Sequence, residues 1–247
     1  MPRAHISSSD GGAMIFFTDR SDAGKRLAAA LAHYAGREDV IVLGLPRGGV
    51  AVAYEVARAI GAPMDLLLVR KLGVPGQEEL AMGAIASGGI RVMNAHIVRS
   101  IGITPEEIAA VAAREQRELE RRERAYRGER PPPDLRGRTV ILVDDGLATG
   151  ATMRAAVYAA RALGAARSVV AVPGAPAETV ASFEREADEM VVLAVPEPFY
   201  AVGTMYEAFT QVADQEVRDF LERASRFPGP GAGSRRTDGG STGKNPH

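Results

Sequence analysis

The chain has 247 residues, 46% hydrophobic and 25% charged, with a formal net charge of −1. A globular chain of this length buries roughly 70–75% of its unfolded surface, enough for one large α/β domain or two small ones. Near-neutral charge argues against broad electrostatic binding of nucleic acid, and the absence of cysteine excludes disulfides, thiolate nucleophiles and cysteine-ligated metals. No apolar run reaches the ~18 residues of a membrane span and no signal-peptide core is present, so a cytoplasmic protein without membrane partners is expected.

Residues 1–13 are small and polar without periodicity, and a disordered extension is expected there, with Met14 a candidate for the true start. Residues 14–227 then form the folded unit. Helical spacing covers 23–34, an apolar strand is expected at 40–45, and Pro46-Arg47-Gly48-Gly49 leads into a helix at 50–60. The leucine-rich run 64–69 reads as a second buried strand that ends at Arg70 and Lys71. The stretch 73–79 is marked by glycine and proline and reads as a loop; 90–93 reads as a short strand, on an edge or in a hairpin after Gly88-Gly89.

Thr104, Pro105 and Glu107 match the N-cap, first and third positions of a helix, which runs to about residue 126. From Arg114 to Arg130 there are seven Arg against five Glu. The plain reading is a solvated face laced with i,i+4 pairs; a subunit contact or a lid stays open. Strands follow at 139–143, 168–172 and 190–195, with helices at 150–163, 176–187 and 214–224. From Pro228 to residue 247 the chain is low in complexity, and a disordered tail is expected.

Strand–helix alternation implies an α/β fold: a doubly wound, mainly parallel sheet with helices on both faces. Ligands of such sheets bind beyond the C-terminal ends of the strands. Three loops fall there: 46–49, 70–73 and 144–152. The last carries the most chemistry. Asp144 and Asp145 follow the apolar run 139–143, and Gly146, Leu147, Ala148, Thr149, Gly150, Ala151 and Thr152 lead into a helix. The open N–H groups of a helix N-terminus suit a phosphate, and the acid pair suits hydroxyls, a metal ion or a developing cation. Neighbours in a regular strand face opposite ways, so the two acids share a ligand only if the backbone bends just past Val143. Gly146 permits that bend.

The stretch 143–152 resembles the phosphoribosyl-diphosphate (PRPP) motif of type I phosphoribosyltransferases over its whole length. The resemblance implies a domain of that type over 14–227, with a small hood from about 196–227 and an inserted charged helix. It implies that Asp144 and Asp145 are catalytic, and that Gly146, Ala148, Thr149, Gly150, Ala151 and Thr152 hold the 5-phosphate. Arg47, Gly48 and Gly49, after a cis Pro46–Arg47 peptide, would hold pyrophosphate together with Arg70 and Lys71. Mg2+ would arrive with PRPP, 73–79 would be a mobile flap, and pairing into a homodimer is implied.

Aromatics cluster after the last strand, at Phe199, Tyr200 and Tyr206, in a chain only 5% aromatic. One reading is packing of a C-terminal lobe; the other is a hood stacking a flat base. Here the resemblance to purine-salvage enzymes puts Tyr200 in the stacking position, with Phe199 and Ala201 beside it, and puts Glu207 near the metal and pyrophosphate. The pattern also departs from 6-oxopurine enzymes: Ala148 stands where they carry an Asp, and 172–176 lacks their lysine. The expected activity is transfer of ribose 5-phosphate from PRPP to a nucleobase-like acceptor in nucleotide salvage, releasing pyrophosphate. A non-catalytic PRPP- or nucleotide-binding regulator is the alternative.

Overall fold

The computed structural model describes residues 4–6 and 17–227. Its elements in chain order are β1 (Ala4–Ile6), α1 (Arg20–Ala30), β2 (Val40–Gly44), α2 (Gly48–Ile60), β3 (Met64–Leu66), β4 (Val69–Val74), β5 (Gln77–Ala86) and β6 (Ile90–Met93). They continue with α3 (Ala95–Ile101), α4 (Pro105–Arg127), β7 (Thr139–Val143), α5 (Ala151–Ala162), β8 (Arg167–Gly174), α6 (Ala177–Phe183), β9 (Glu189–Ala194) and α7 (Asp214–Ala224).

Six parallel strands form the main sheet in the order β1-β9-β8-β7-β2-β3. Beyond polar residues at their starts, such as Thr139 and Ser168, the central strands are apolar because both faces are covered. Val40, Val42, Ile141, Val143, Val169, Ala171 and Val191 pack with Leu27 of α1 and Val52 and Val56 of α2. Their neighbours Ile41, Leu43, Val140, Leu142, Val170, Val172 and Val192 pack on the other face with Met153 and Val157 of α5 and Phe183 of α6. The two-residue alternation sends one set to each side. This is the doubly wound, mainly parallel sheet expected from strand–helix order.

Within the segment expected to lie outside the fold, Ala4–Ile6 adds an edge strand to β9. The expectations for the rest of 1–13, for Met14 and for the tail 228–247 lie outside the described residues. No helix among the described residues is long and apolar enough to cross a membrane.

The run expected as one strand over 64–69 is divided between two sheets. β3 stays in the main sheet, and Leu67 N–H still donates to Gly44 O at 3.1 Å. Leu68 then pairs with Ser87: Ser87 N–H donates to Leu68 O, and Leu68 N–H donates to Ser87 Oγ. That exchange turns the chain into a second, antiparallel sheet, β4-β5-β6. Arg70 and Lys71 therefore lie on β4, and the expected loop at 73–79 is the tip of the β4–β5 hairpin, where Val74 faces Gln77 across Pro75–Gly76. Four consecutive apolar residues carried no alternation to mark the change of sheet. The short helix α3, capped by Asn94, has no counterpart among the expected elements.

The second sheet packs through Leu72, Val74, Met82 and Ile85 onto Val111, Leu119 and Tyr126 of α4 and Val217 and Leu221 of α7. α4 carries the expected surface pairs, such as Arg122–Glu118 at 2.8 Å. Its other face is not solvated. Arg127 is buried, donating to Asp65 Oδ1 at 3.0 Å and to the Leu66 carbonyl, and it ties the helix to β3.

Candidate functional site

β7 delivers Val143 to the C-terminal edge of the sheet, next to the end of β2. Leu45 N–H donates to Val143 O at 2.8 Å, so the loops after the two strands start side by side. The Pro46–Arg47 peptide is cis, as the resemblance implied. Gly48 and Gly49 then meet the acid pair. A Cβ built on Gly49 would lie 2.9 Å from Asp144 Oδ1, and one on Gly48 would lie 1.8 Å from Asp145 Oδ2. Only a residue without a side chain leaves room for the Asp145 carboxylate there. Both acids thus face one loop, which needs the bend past Val143; the chain turns at Gly146, with φ 154°.

Asp144 Oδ1 accepts the Asp145 backbone N–H at 2.8 Å. Burial raises the Asp144 pKa well above the ordinary carboxylate range, and the adjacent Asp145 charge raises it further; that N–H and the charge of Arg20 work the other way without cancelling the rise. Asp145 is held from two sides. Arg20 donates from Nε to Asp145 Oδ2 at 2.8 Å, with Nη2 also 2.8 Å away, and Tyr206 OH donates to the Asp145 carbonyl at 2.6 Å. Burial pushes the Tyr206 phenol far up, with the Asp145 charge adding to it, so its OH remains a donor.

Beyond Leu147 the chain enters α5 through Gly150, its N-cap, which makes no side-chain capping bond. Ala148, Thr149, Ala151 and Thr152 are exposed, so the start of the helix faces solvent beside two hydroxyls, and Thr149 Oγ1 accepts the Ala151 N–H at 3.5 Å. α6 fixes this loop from behind: Thr179 Oγ1 donates to Ala148 O at 2.6 Å, and Phe183 packs against Gly150.

The expected cations are placed less uniformly. Arg47 precedes α2, and its Nη1 lies 3.8 Å from Asp214 Oδ1. Arg70 donates from Nε and Nη2 to Glu115 Oε2 at 2.9 and 2.5 Å. Lys71 and Thr152 line one cavity of about 570 Å3 with Asn94 and Tyr158, between the second sheet and α5. After β9, Phe199 packs against the core beneath α1 and α2, while Tyr200 is 79% exposed. The Ala201 carbonyl accepts from Thr204 Oγ1 at 2.7 Å. The exposed Glu207 is placed by its backbone, whose N–H donates to Phe17 O at 2.8 Å. Among the described residues no group of three or more His, Cys, Asp or Glu side chains could hold a metal ion.

Two residues of this arrangement, Arg20 and Thr179, have no sequence signal, and Tyr206 was marked only as one of the clustered aromatics. Arg20, Thr179 and Tyr206 reach the acid pair or its loop from 125, 31 and 61 positions away. Nothing in the chain near them marks the partner.

Comparison with known proteins bears on the same residues. A model of the phosphoribosyl transferase domain matches residues 18–192. The Mycobacterium tuberculosis protein named "Putative phosphoribosyl transferase Rv0571c" is 51% identical over 213 residues, covering 86% of this chain and 48% of the relative. A second M. tuberculosis protein, named "Putative phosphoribosyl transferase MT0597", matches equally. The chain thus spans about half the length of the curated relatives it matches. The crystal structure of TT1426 from Thermus thermophilus is 45% identical, with a TM-score of 0.77, over 84% of this chain and 98% of that one.

Proposed function

The chain belongs to the phosphoribosyl transferase domain family, and on that premise we propose that it transfers ribose 5-phosphate from PRPP to a nitrogenous base, releasing pyrophosphate. One observation carries the reading: two carboxylates meet Gly48 and Gly49, the first residues of α2, on one side and precede the N-terminus of α5 on the other. A phosphorylated sugar reacting at its ring needs both features.

Leaving pyrophosphate places positive charge on the ribose ring. Asp144 and Asp145 accept from the 2- and 3-hydroxyls and favour that charge electrostatically. Charge-assisted hydrogen bonds of this type contribute about 1.5–3 kcal/mol each. Thr149, Gly150, Ala151 and Thr152 take the 5-phosphate through N–H groups and hydroxyls, with Gly146 and Ala148 shaping the turn. Gly48 and Gly49 let backbone approach the pyrophosphate, and Arg47, Arg70 and Lys71 supply charge around it. Tyr200, with Phe199 and Ala201 beside it, offers an open ring face for a flat base.

Mg2+ bound with PRPP would neutralise pyrophosphate charge. Asp144 and Asp145 are the adjacent oxygen donors, and such donors suit a hard cation; the exposed Glu207 forms no three-ligand cluster with them, so the cation would be held largely by substrate oxygens and water.

The test is pyrophosphate release from PRPP and Mg2+ across a panel of purine and pyrimidine bases. Release that needs one base, and that disappears in the Asp144→Asn/Asp145→Asn protein, supports the transferase and names its acceptor. Undiminished release by the double variant would sink the mechanism. PRPP that stabilises the fold thermally without turnover on any base would favour a PRPP-binding regulator.

A further inference from the structure

We propose that Arg20 is a positioning residue for Asp145, holding one carboxylate oxygen against the Gly48 loop so that the other is presented to the sugar. The inference rests on the phosphoribosyl-transfer reading above. Arg20 is the first residue of α1, where the helix dipole disfavours a cation. What holds it there comes from distant parts of the chain. Nε and Nη2 both reach Asp145 Oδ2 at 2.8 Å, and Nη1 donates to Thr210 O at 2.7 Å. The guanidinium carbon lies 3.9 Å from the centre of the Phe209 ring. The side chains of Arg20 and Asp145 are only 11% and 15% exposed, so solvent screens the pair weakly.

The geometry around the pair is closed on the loop side. A Cβ on Gly48 would meet Asp145 Oδ2 at 1.8 Å and Arg20 Nε at 3.0 Å, so the glycine leaves the space that the ion pair fills. Tyr206 OH donates to the Asp145 backbone carbonyl at 2.6 Å. Asp145 Oδ2 is therefore committed to Arg20, and Oδ1 accepts no bond among the described residues. The Thr210 and Phe209 contacts tie the same guanidinium to the segment after Tyr206. Arg20 joins α1, the acid pair and that segment at one point.

A double-mutant cycle on PRPP affinity tests this, using the full chain with Mg2+ and titration calorimetry on Arg20→Met, Asp145→Asn and the double variant. Substrate misplacement of about 1 Å costs on the order of a hundredfold. Arg20→Met is expected to weaken PRPP binding roughly tenfold and to lower kcat by roughly a hundredfold. In the Asp145→Asn background the same change should alter affinity less than about twofold, because the residue it acts through is gone. Arg20→Lys, which keeps the charge and loses the fork, should recover part of kcat. Equal losses in both backgrounds would overturn the proposal, since Arg20 would then act on substrate or on the fold directly. If Arg20→Met does not fold, Phe209→Ala removes the ring beneath the guanidinium and should give a milder loss of kcat; unchanged kcat in that variant counts against the proposal. Wild-type protein that binds no PRPP would sink the functional reading alone. Crystal structures of wild type and Arg20→Met would then decide positioning: Asp145 Oδ2 remaining against Gly48 in the variant overturns it, and rotation away supports it.

Discussion

At Asp144, burial and the adjacent Asp145 charge both disfavour the carboxylate. The folded-state pKa is raised above the unfolded value of about 3.9, so ionised Asp144 subtracts from stability once the pH exceeds that value. The cost grows up to the folded pKa and disappears in acid. Asp144→Asn is thus expected to stabilise the fold at pH 7 by about 0.5–2 kcal/mol in urea unfolding while abolishing pyrophosphate release. The stability gain should narrow toward pH 4; a gain of equal size at both pH values would contradict the assignment. Gly48 gives a complementary residue-scale prediction. Gly48→Ala puts a methyl where Asp145 Oδ2 lies, so the carboxylate must move. The expected result is a fall in kcat/KM of about a hundredfold with little change in Tm. The losses of turnover separate the acids from a plain Asp-Asp-Gly turn, whose variants would change stability alone.

Among the elements, α4 shows how one helix serves both surface and core. Its start is local chemistry: Thr104 Oγ1 accepts the Glu107 N–H at 3.2 Å, and Glu107 returns its carboxylate to the Thr104 N–H at 2.9 Å. Thr104→Ala should cost about 1 kcal/mol, read as a lower urea midpoint at unchanged slope. Its far end is anchored by the buried Arg127, which serves Asp65, Glu123 and the Leu66 carbonyl. Arg127→Ala strands those partners and should cost about 3–5 kcal/mol, well beyond the capping variant in the same measurement. The capping box was legible in the sequence because all its atoms lie within four residues. The buried role of Arg127 was not, because an arginine in an Arg/Glu-rich helix has the same local signature whether it faces water or β3. The same limit explains 64–69, where continuous burial concealed the passage from one sheet to the other.

The whole molecule places a further charged cluster at the N-terminal ends of the strands, opposite the acid pair. Glu189 at the start of β9 accepts from Tyr34 OH at 2.7 Å and from Arg167 Nη2 at 2.8 Å, and His33 Nε2 stands 3.3 Å away. Burial alone would raise the Glu189 pKa; the bonds from Tyr34 and Arg167, with the charge of His33, outweigh it and hold the carboxyl below its ordinary value. Burial, with the bond to Glu189, pushes the Tyr34 phenol up to about 12. A depressed acid stabilises above its unfolded pKa of about 4.3 and loses that contribution as the pH falls through the folded value. A raised phenol stabilises below about 10 and loses its contribution as the pH rises through about 12. Wild type should therefore lose more stability than Glu189→Gln between pH 6 and pH 3 in thermal unfolding. Parallel losses in the two proteins would remove the cluster from the account.

The sequence by itself determined the α/β class, the strand that leads to Asp144 and Asp145, the glycines at 48 and 49 and the start of α4; the cis Pro46–Arg47 peptide was implied only by the family resemblance. Each rests on a few neighbouring residues: periodicity, a cap, a turn or a short motif. Only the tertiary structure decided that Arg20 grips Asp145, that Thr179 braces Ala148, that Arg70 is engaged by Glu115 and that Phe199 turns into the core while Tyr200 faces out. The reason is physical. A period or a cap is fixed by backbone geometry within one or two turns, whereas an ion pair across 125 positions forms only when the packed sheet brings its partners together.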